Sequence, residues 1–274
     1  MKDLLARTTI SRLTLYVLAT LWLWALVLAG LKLLPYRPSD MVVSAVVLLA
    51  AGWAVNTLFA KVFAVRSNPE SVLITILILA LVITPFGWND RSAAGYAIFT
   101  AAWAMASKYM LVTARRHWFN PAAFGMALAA LALGNSVSWW VGGSPWLLVV
   151  MLPGGALILA KMRCYDLVLS FAAAVLATVA LASGASRVAL EQVTLHSMFI
   201  FFAFIMLTEP RTTPIWRPRR IAYATLVGIL FAPEVHLGSF YFTPELALLA
   251  GNAFAVLASP RRWPASLRTP ALAN

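Results

Sequence analysis

Long apolar runs, separated by prolines, glycines and small clusters of charge, set the pattern of this chain. Read between those breaks, the runs predict helices near 12–34, 41–60, 71–86, 92–112, 118–134, 145–162, 164–183, 190–207, 219–232 and 240–258. Several reach the ~20 residues that a bilayer crossing requires. Ten crossings take up roughly 200 residues, which leaves short loops and tails and excludes a sizeable soluble domain. The first run follows Lys2, Arg7 and Arg12 and has no small-x-small cleavage site before Lys32, so it predicts a retained signal anchor.

Composition agrees with that pattern. Apolar residues make up 62% and charged residues 11% of the chain, against roughly 45–50% and ~25% in soluble domains, and the mean hydropathy is +0.85. A soluble globular protein is excluded. Lys and Arg number 21 against 9 acidic residues, a net charge of +12. Counted on alternate sides of ten spans, the basic residues from Lys2 to Arg268 fall almost wholly on the N-terminal side. Only Lys32, Arg37, Arg91 and Arg187 fall on the other. Cytoplasmic loops hold such an excess, so both termini are expected in the cytoplasm of a bacterial inner membrane, and the positive charge needs no nucleic acid to explain it. The tail 259–274, with Arg261, Arg262 and Arg268, reads as a short disordered end against anionic headgroups. Cys164 is the only cysteine, which excludes an internal disulfide and any multi-cysteine cluster.

Two short matches indicate internal symmetry. Phe119-Asn120-Pro121-Ala122 pairs with Phe242-Thr243-Pro244-Glu245, and Ile83-Thr84-Pro85 with Leu207-Thr208-Glu209-Pro210. Both pairs are five spans apart, an odd separation, so the halves cross the membrane in opposite senses. The expectation is one polytopic domain over 1–274, with repeat one at about 12–134 and repeat two at about 145–258.

Few polar residues lie near span ends. Asn120 and Pro121 open a helix as N-cap and first helical residue; capping alone explains them, or the free N–H groups face a cavity and bind carbonyl oxygens or an anion. Thr208-Glu209-Pro210-Arg211-Thr212-Thr213-Pro214 is either an ordinary turn or a polar pocket for hydroxyls or a ring amide, beside arginines that read as topology determinants. Lys108 is expected to snorkel to the interface, and Asp166 to pair with Arg163 or Lys161. No buried acidic relay is visible among the carboxylates, which argues against proton pumping by this chain alone. Of His117, His196 and His236 only His196 is expected inside the membrane, so a bis-histidine haem is not supported. Trp139, Trp140 and Trp146 read as an interfacial belt.

The segment Lys108 to Gly125, KYMLVTARRHWFNPAAFG, resembles the NqrB/RnfD family, the integral-membrane flavin subunits of Na⁺-pumping NADH:quinone reductase and of the Rnf complex. Lys108 and Asn120-Pro121-Ala122 fall at the family spacing. TEPRTTP followed by RPRR is similar to the family's Thr-Asp-Pro segment, with Glu209 in place of Asp. The similarity runs over about residues 66–258. It implies an all-α, ten-helix, urea-transporter-like bundle of two inverted five-helix repeats that carries electrons through flavin. Carried over, it implies a non-covalent riboflavin or FMN lined by Asn120, Pro121 and Ala122 with Lys108 nearby. His117 stands where the family has the first Asn of its motif. The family's covalent FMN threonine has no counterpart in NSVSWWVGGS; the near match is Ser186 in Ser183-Gly184-Ala185-Ser186, whose alternative is a small-residue turn.

The function expected is electron transfer through a non-covalent flavin touching Lys108, His117, Asn120, Pro121, Ala122, Thr208 and Glu209. The chain has no dinucleotide fingerprint, so it acts with partner redox subunits, possessing no catalytic or metal site of its own, and a quinone is a candidate acceptor. The alternative is a channel or transporter for a small solute on the same scaffold.

Overall fold

The structure, a computed structural model, describes residues 8–113, 116–195 and 198–258. Arg115, His196, Lys2, Arg7 and the tail 259–274, to which expectations were attached above, lie outside the described residues. The described part is all-α apart from two small hairpins. Eleven helices follow in order: α1 Ile10–Gly30, α2 Pro38–Val62, α3 Pro69–Val82, α4 Arg91–Met110, α5 Pro121–Leu133, α6 Leu148–Met162, α7 Tyr165–Ala182, α8 Arg187–Leu195, α9 Phe199–Phe201, α10 Arg217–Phe231 and α11 Pro244–Leu257. The hairpins pair β1 Val112–Thr113 with β2 Arg116–His117, and β3 His236–Leu237 with β4 Phe240–Tyr241.

Four helical stretches are long and apolar enough to cross a membrane: Ile10–Gly30, Pro38–Val62, Pro145–Met162 and Tyr165–Ala182. The bent pair Arg187–Thr194 and Phe199–Met206 makes a fifth candidate. Their outer faces are apolar. Leu23 and Val27 of α1, Val46 and Trp53 of α2, and Leu169 and Leu181 of α7 are all exposed, an arrangement that water does not tolerate over so large a surface and lipid does. The chain is a multi-pass membrane protein.

The shorter apolar helices α3, α5 and α11 start and stop for local reasons. Each has proline in its first turn and a side-chain cap: Asn68 accepts from Ser71 N, Asn120 from Ala123 N, and Thr243 from Leu246 N. Capping satisfies N–H groups that the first turn leaves without partners. α3 ends before Pro85, which disfavours helix at the preceding residue, and α5 ends where Gly134 turns left-handed at φ 70°.

Packing is organised around two parallel sets of neighbours. α1 lies on α3, α2 on α3 and α4, and α4 on α5. In the second half α7 lies on α10 and α10 on α11, while α1 meets α6 and α5 meets α11 across the middle. Small residues allow the close approaches. Gly125 of α5 sits against the backbone of Thr100, Gly228 of α10 against Phe171, and Gly155 of α6 beneath the ring of Phe204. Phe204 belongs to a π-helical turn, Phe202–Met206, that continues α9 and closes with Leu207 N donating to Phe202 O. One extra residue in that turn displaces the following chain from the helix axis, as π-turns at functional sites commonly do. Phe171, Phe199, Phe202 and Phe231 fill the space behind it, with ring centroids 4.9–6.3 Å apart.

The tryptophans depart from the expected belt. Trp146 is exposed and its carbonyl accepts from Trp24 Nε1, but Trp139 and Trp140 are buried. Trp140 Nε1 donates to Ala80 O at 3.2 Å and Ile83 O at 3.0 Å, while Trp139 N and Ser138 Oγ both donate to Val82 O. Hydropathy could not foresee this. The open carbonyls at the end of α3 need donors, and the loop turns inward to supply them. Asp166 also differs from expectation: it pairs with Arg220, at 2.7–2.9 Å through two guanidinium nitrogens, 54 residues away. The planar fork of arginine matches a carboxylate in this way.

Gly155→Ala places a methyl group into Phe204. It should lower thermal stability in detergent by roughly 1–3 kcal/mol. Gly95→Ala, where an added methyl meets nothing within 4 Å, should raise it by about 0.5–1 kcal/mol. Equal effects at the two positions would contradict this packing.

Candidate functional site

The π-turn delivers the chain to a tightly fastened corner. Thr208 Oγ1 donates back to Phe204 O at 2.6 Å. Thr212 N and Thr213 N both donate to Glu209 O, and Thr213 Oγ1 bridges Glu209 O and Leu207 O at 2.8 and 3.0 Å. The hydroxyls of Thr212 and Thr213 thus satisfy the local backbone and do not form the ligand pocket that their sequence allowed. Their effect is to fix the backbone from which Glu209 and Arg211 project.

Opposite this corner, Asn120 and Pro121 open α5. Asn120 Oδ1 caps Ala123 N at 3.1 Å, its Nδ2 reaches Met206 O at 3.4 Å, and its own N–H donates to Asn252 Oδ1 of α11 at 2.8 Å. Asn252, fully buried, is held in turn by Tyr223, whose hydroxyl accepts from Asn252 Nδ2. α11 therefore positions the start of α5, and the weak bond to Met206 leaves the Asn120 amide with a donor to spare.

Between the two lies a cavity of ≈ 230 Å³, walled by α1 (Ile10, Ser11, Thr14), α3 (Ser71, Ile74, Thr75, Ile78), Asn120 to Ala122, and the 205–211 segment including Thr208, Glu209 and Arg211. Arg211 is one of its lining residues. Lys108, near the end of α4, is buried and does not snorkel: its Nζ donates to Ser71 O at 2.7 Å and Ser71 Oγ at 3.2 Å. The β1–β2 hairpin is latched over the same corner. Arg116 donates to Thr213 O at 2.7 Å, and Arg211 Nη1 to His117 Nε2 at 3.0 Å.

Residues scattered from 108 to 209 in the sequence thus converge. Asn120, Pro121, Ala122, Thr208 and Glu209 line the cavity, Lys108 is one hydrogen bond behind it at Ser71, and His117 is one hydrogen bond behind it at Arg211. Ser186 is not among the residues that line it. It sits in the turn beyond α7, its N–H donating to Ser183 Oγ, about 27 Å of helix away from the Asp166 end. Sequence reasoning missed Ser11, Thr14, Ser71 and Thr75, whose hydroxyls are ordinary in apolar helices. It also missed Asn252, an amide inside an apolar run, which is a signal worth weighing in membrane segments.

Charge is confined in this corner. Burial pushes the Glu209 carboxyl up to about 7, against the opposing influence of Lys108 and Arg211. Burial pushes His117 down to about 3, and the positive charges of Arg211 and Lys108 act in the same direction. Arginine can only donate, so His117 Nε2 accepts and Nδ1 carries the hydrogen. That Nδ1 is buried without a hydrogen-bond partner.

The opposite end of the bundle differs. A second cavity of ≈ 330 Å³ there is lined by Thr84, Asp90, Tyr96, Asn135 and Ser138, among others. Glu245, in the first turn of α11, is buried with the Thr243 and Trp139 side chains facing its carboxyl, neither close enough for a well-formed hydrogen bond. A buried carboxylate was not foreseen at this position. No group of three or more His, Cys, Asp or Glu suited to a metal ion occurs among the described residues.

No protein-family model matches the chain, and no curated protein matches it.

The unfolded chain protonates His117 near its ordinary ~6.5 and the folded chain only near 3. Between those values the unfolded state binds more protons, so stability falls as the pH is lowered through that window. His117→Gln should flatten this decline in melting temperature between about pH 6.5 and 3. A parallel decline in both proteins would remove His117 as its source.

Proposed function

We propose that the chain is an electron-transfer subunit that holds a flavin ring non-covalently in the cavity that Arg211 lines and relays electrons between a reductase partner and a membrane acceptor. The observation that carries this reading is the convergence of Lys108, Asn120-Pro121-Ala122 and Thr208-Glu209 around one cavity. These are the short motifs on which the resemblance to the NqrB/RnfD family rests. In this reading the helices form ten spans in two inverted halves, with both termini in the cytoplasm of a bacterial inner membrane. The mirrored neighbours, α2–α4–α5 and α7–α10–α11, and the two capped proline starts at Asn120 and Thr243 support it.

The residues fit a ring. Ile10, Ile74, Ile78, Ile205, Pro121 and Ala122 offer apolar faces, and the edges carry an amide, hydroxyls, a carboxyl and a guanidinium. The space, ≈ 230 Å³, is below the ~300–1,000 Å³ of typical small-molecule pockets, so in this reading only the ring enters it and the polar tail extends outward past Arg211. A bound flavin supplies one- and two-electron chemistry. The chain's part is to orient the ring edge with the Asn120 amide, to keep water from its apolar faces, and to set local charge with Lys108, Glu209 and Arg211.

A solute path on the same scaffold needs an opening at both ends. At the far end of α3 two buried indoles, Trp140 bonded through its ring and Trp139 through its backbone N, separate the outer cavity from the bundle interior, which favours the redox reading over transport.

Protein purified from membranes, or reconstituted with riboflavin, should show the visible spectrum of oxidised flavin and release flavin on denaturation. Asn120→Ser keeps a capping oxygen and loses the amide donor; flavin affinity should fall about 2–10-fold. Colourless protein that takes up no riboflavin and supports solute flux in liposomes would favour transport instead.

A further inference from the structure

We infer that Glu209 is the proton-transfer residue of this cavity: its carboxyl gives a proton to the bound ring as the ring gains electrons, and regains one from water at the Arg211 mouth. The inference rests on the flavin reading and adds a residue with a defined chemical role to it.

Glu209 is singled out by elimination among the groups around the cavity. Lys108 from α4 is turned away to the carbonyl and hydroxyl of Ser71 and does not line the cavity. Arg211, on the same turn, is exposed and cannot give up its proton in water. His117, from the hairpin, accepts from Arg211 through Nε2 and stays neutral. α1 and α3 present only hydroxyls and apolar groups to the cavity, while the Arg12–Glu70 ion pair at their ends does not line it. Tyr223 of α10 is fully buried, within electrostatic reach of Glu209, and bonded to Asn252. Glu209 is the one carboxylic acid among the lining residues, half-buried beside the exposed Arg211. Its backbone carbonyl is held by Thr212 and Thr213, so the carboxyl turns on a fixed base. Its proton affinity, raised to about 7, is matched to exchange at neutral pH, as general acids require.

The step balances. A two-electron donor supplies the electron pair to the ring. The O–H bond of Glu209 breaks and an N–H bond forms on a ring nitrogen, leaving a carboxylate beside Lys108 and Arg211. A proton from water then restores the acid. The negative charge gained by the ring raises the proton affinity of Glu209, so reduction and proton uptake are linked.

The full chain, reconstituted with riboflavin in detergent, is titrated with a chemical reductant across about pH 5–9. In the wild type the midpoint potential should bend near pH 7, where Glu209 changes its proton occupancy. Glu209→Gln should retain flavin, lose the bend, and be reduced roughly 10²-fold more slowly; Glu209→Asp should recover part of both. Glu191→Gln, an exposed carboxylate on α8, should behave as wild type. A Glu209→Gln protein with bound flavin, an unchanged bend and an unchanged rate overturns the inference while leaving the flavin reading intact. Wild-type protein that takes up no riboflavin overturns the reading, and the inference with it.

Discussion

Helix ends inside a bilayer have no water to satisfy their open carbonyls and N–H groups, and in this chain several helices end within the bundle. The carbonyls of Ala80, Val82 and Ile83 at the end of α3 are met by Trp140, Trp139 and Ser138. Those of Leu207 and Glu209, after the π-turn, are met by Thr213 and Thr212. The N–H of Asn120 is met by Asn252 from another helix. Each solution draws a loop inward and fixes it by several hydrogen bonds. The cavity exists because the Asn120 corner and the Glu209 corner are held apart by these local bonds instead of collapsing onto each other.

Charge placed in such a corner is costly. Removing an ion from water carries a penalty that mutual attraction only partly offsets, and Lys108 and Glu209 stand near one another beside apolar isoleucines, with Arg211 exposed at the edge. Around them α5 and α11 pack closely, at Gly125 and Gly251 and at the fully buried Asn252. The buried carboxyl of Glu245 at the other end stands beside the Thr243 and Trp139 side chains.

Much of this was legible in the sequence. Every predicted apolar run holds a helix, because proline and charge punctuate the runs where the backbone must turn. Asn120-Pro121 and Thr243-Pro244 declare helix starts by their chemistry, and they cap as expected. What was not legible depends on contacts between distant segments. The run 190–207 reads as one helix, yet contains a π-turn with no compositional signature. Trp139 and Trp140 look like interfacial residues because hydropathy does not say whether a loop folds outward or inward. Asp166 has basic neighbours in sequence but takes Arg220, whose geometry permits two-point contact. Lys108 was assigned to the interface because reach alone was considered; the carbonyl and hydroxyl of Ser71 keep it inside. The convergence of the cavity residues follows from the crossing of α5 and α11, which short motifs do not encode.

Trp139 itself adopts a left-handed conformation, φ 52° and ψ 36°, unusual for a residue with a bulky side chain. It is held there by Val82 on one side and the rings of Phe201 and Phe202 on the other. In the proposed pair of inverted halves the helices alone would make both faces of the molecule equivalent, and any cargo could exchange with either compartment. The stopper made by two indoles breaks that equivalence. The difference between the two ends therefore resides in a handful of loop side chains, the indoles at one and the Arg116 and Arg211 latch at the other, so a change confined to loops could exchange the character of the ends with every helix left untouched.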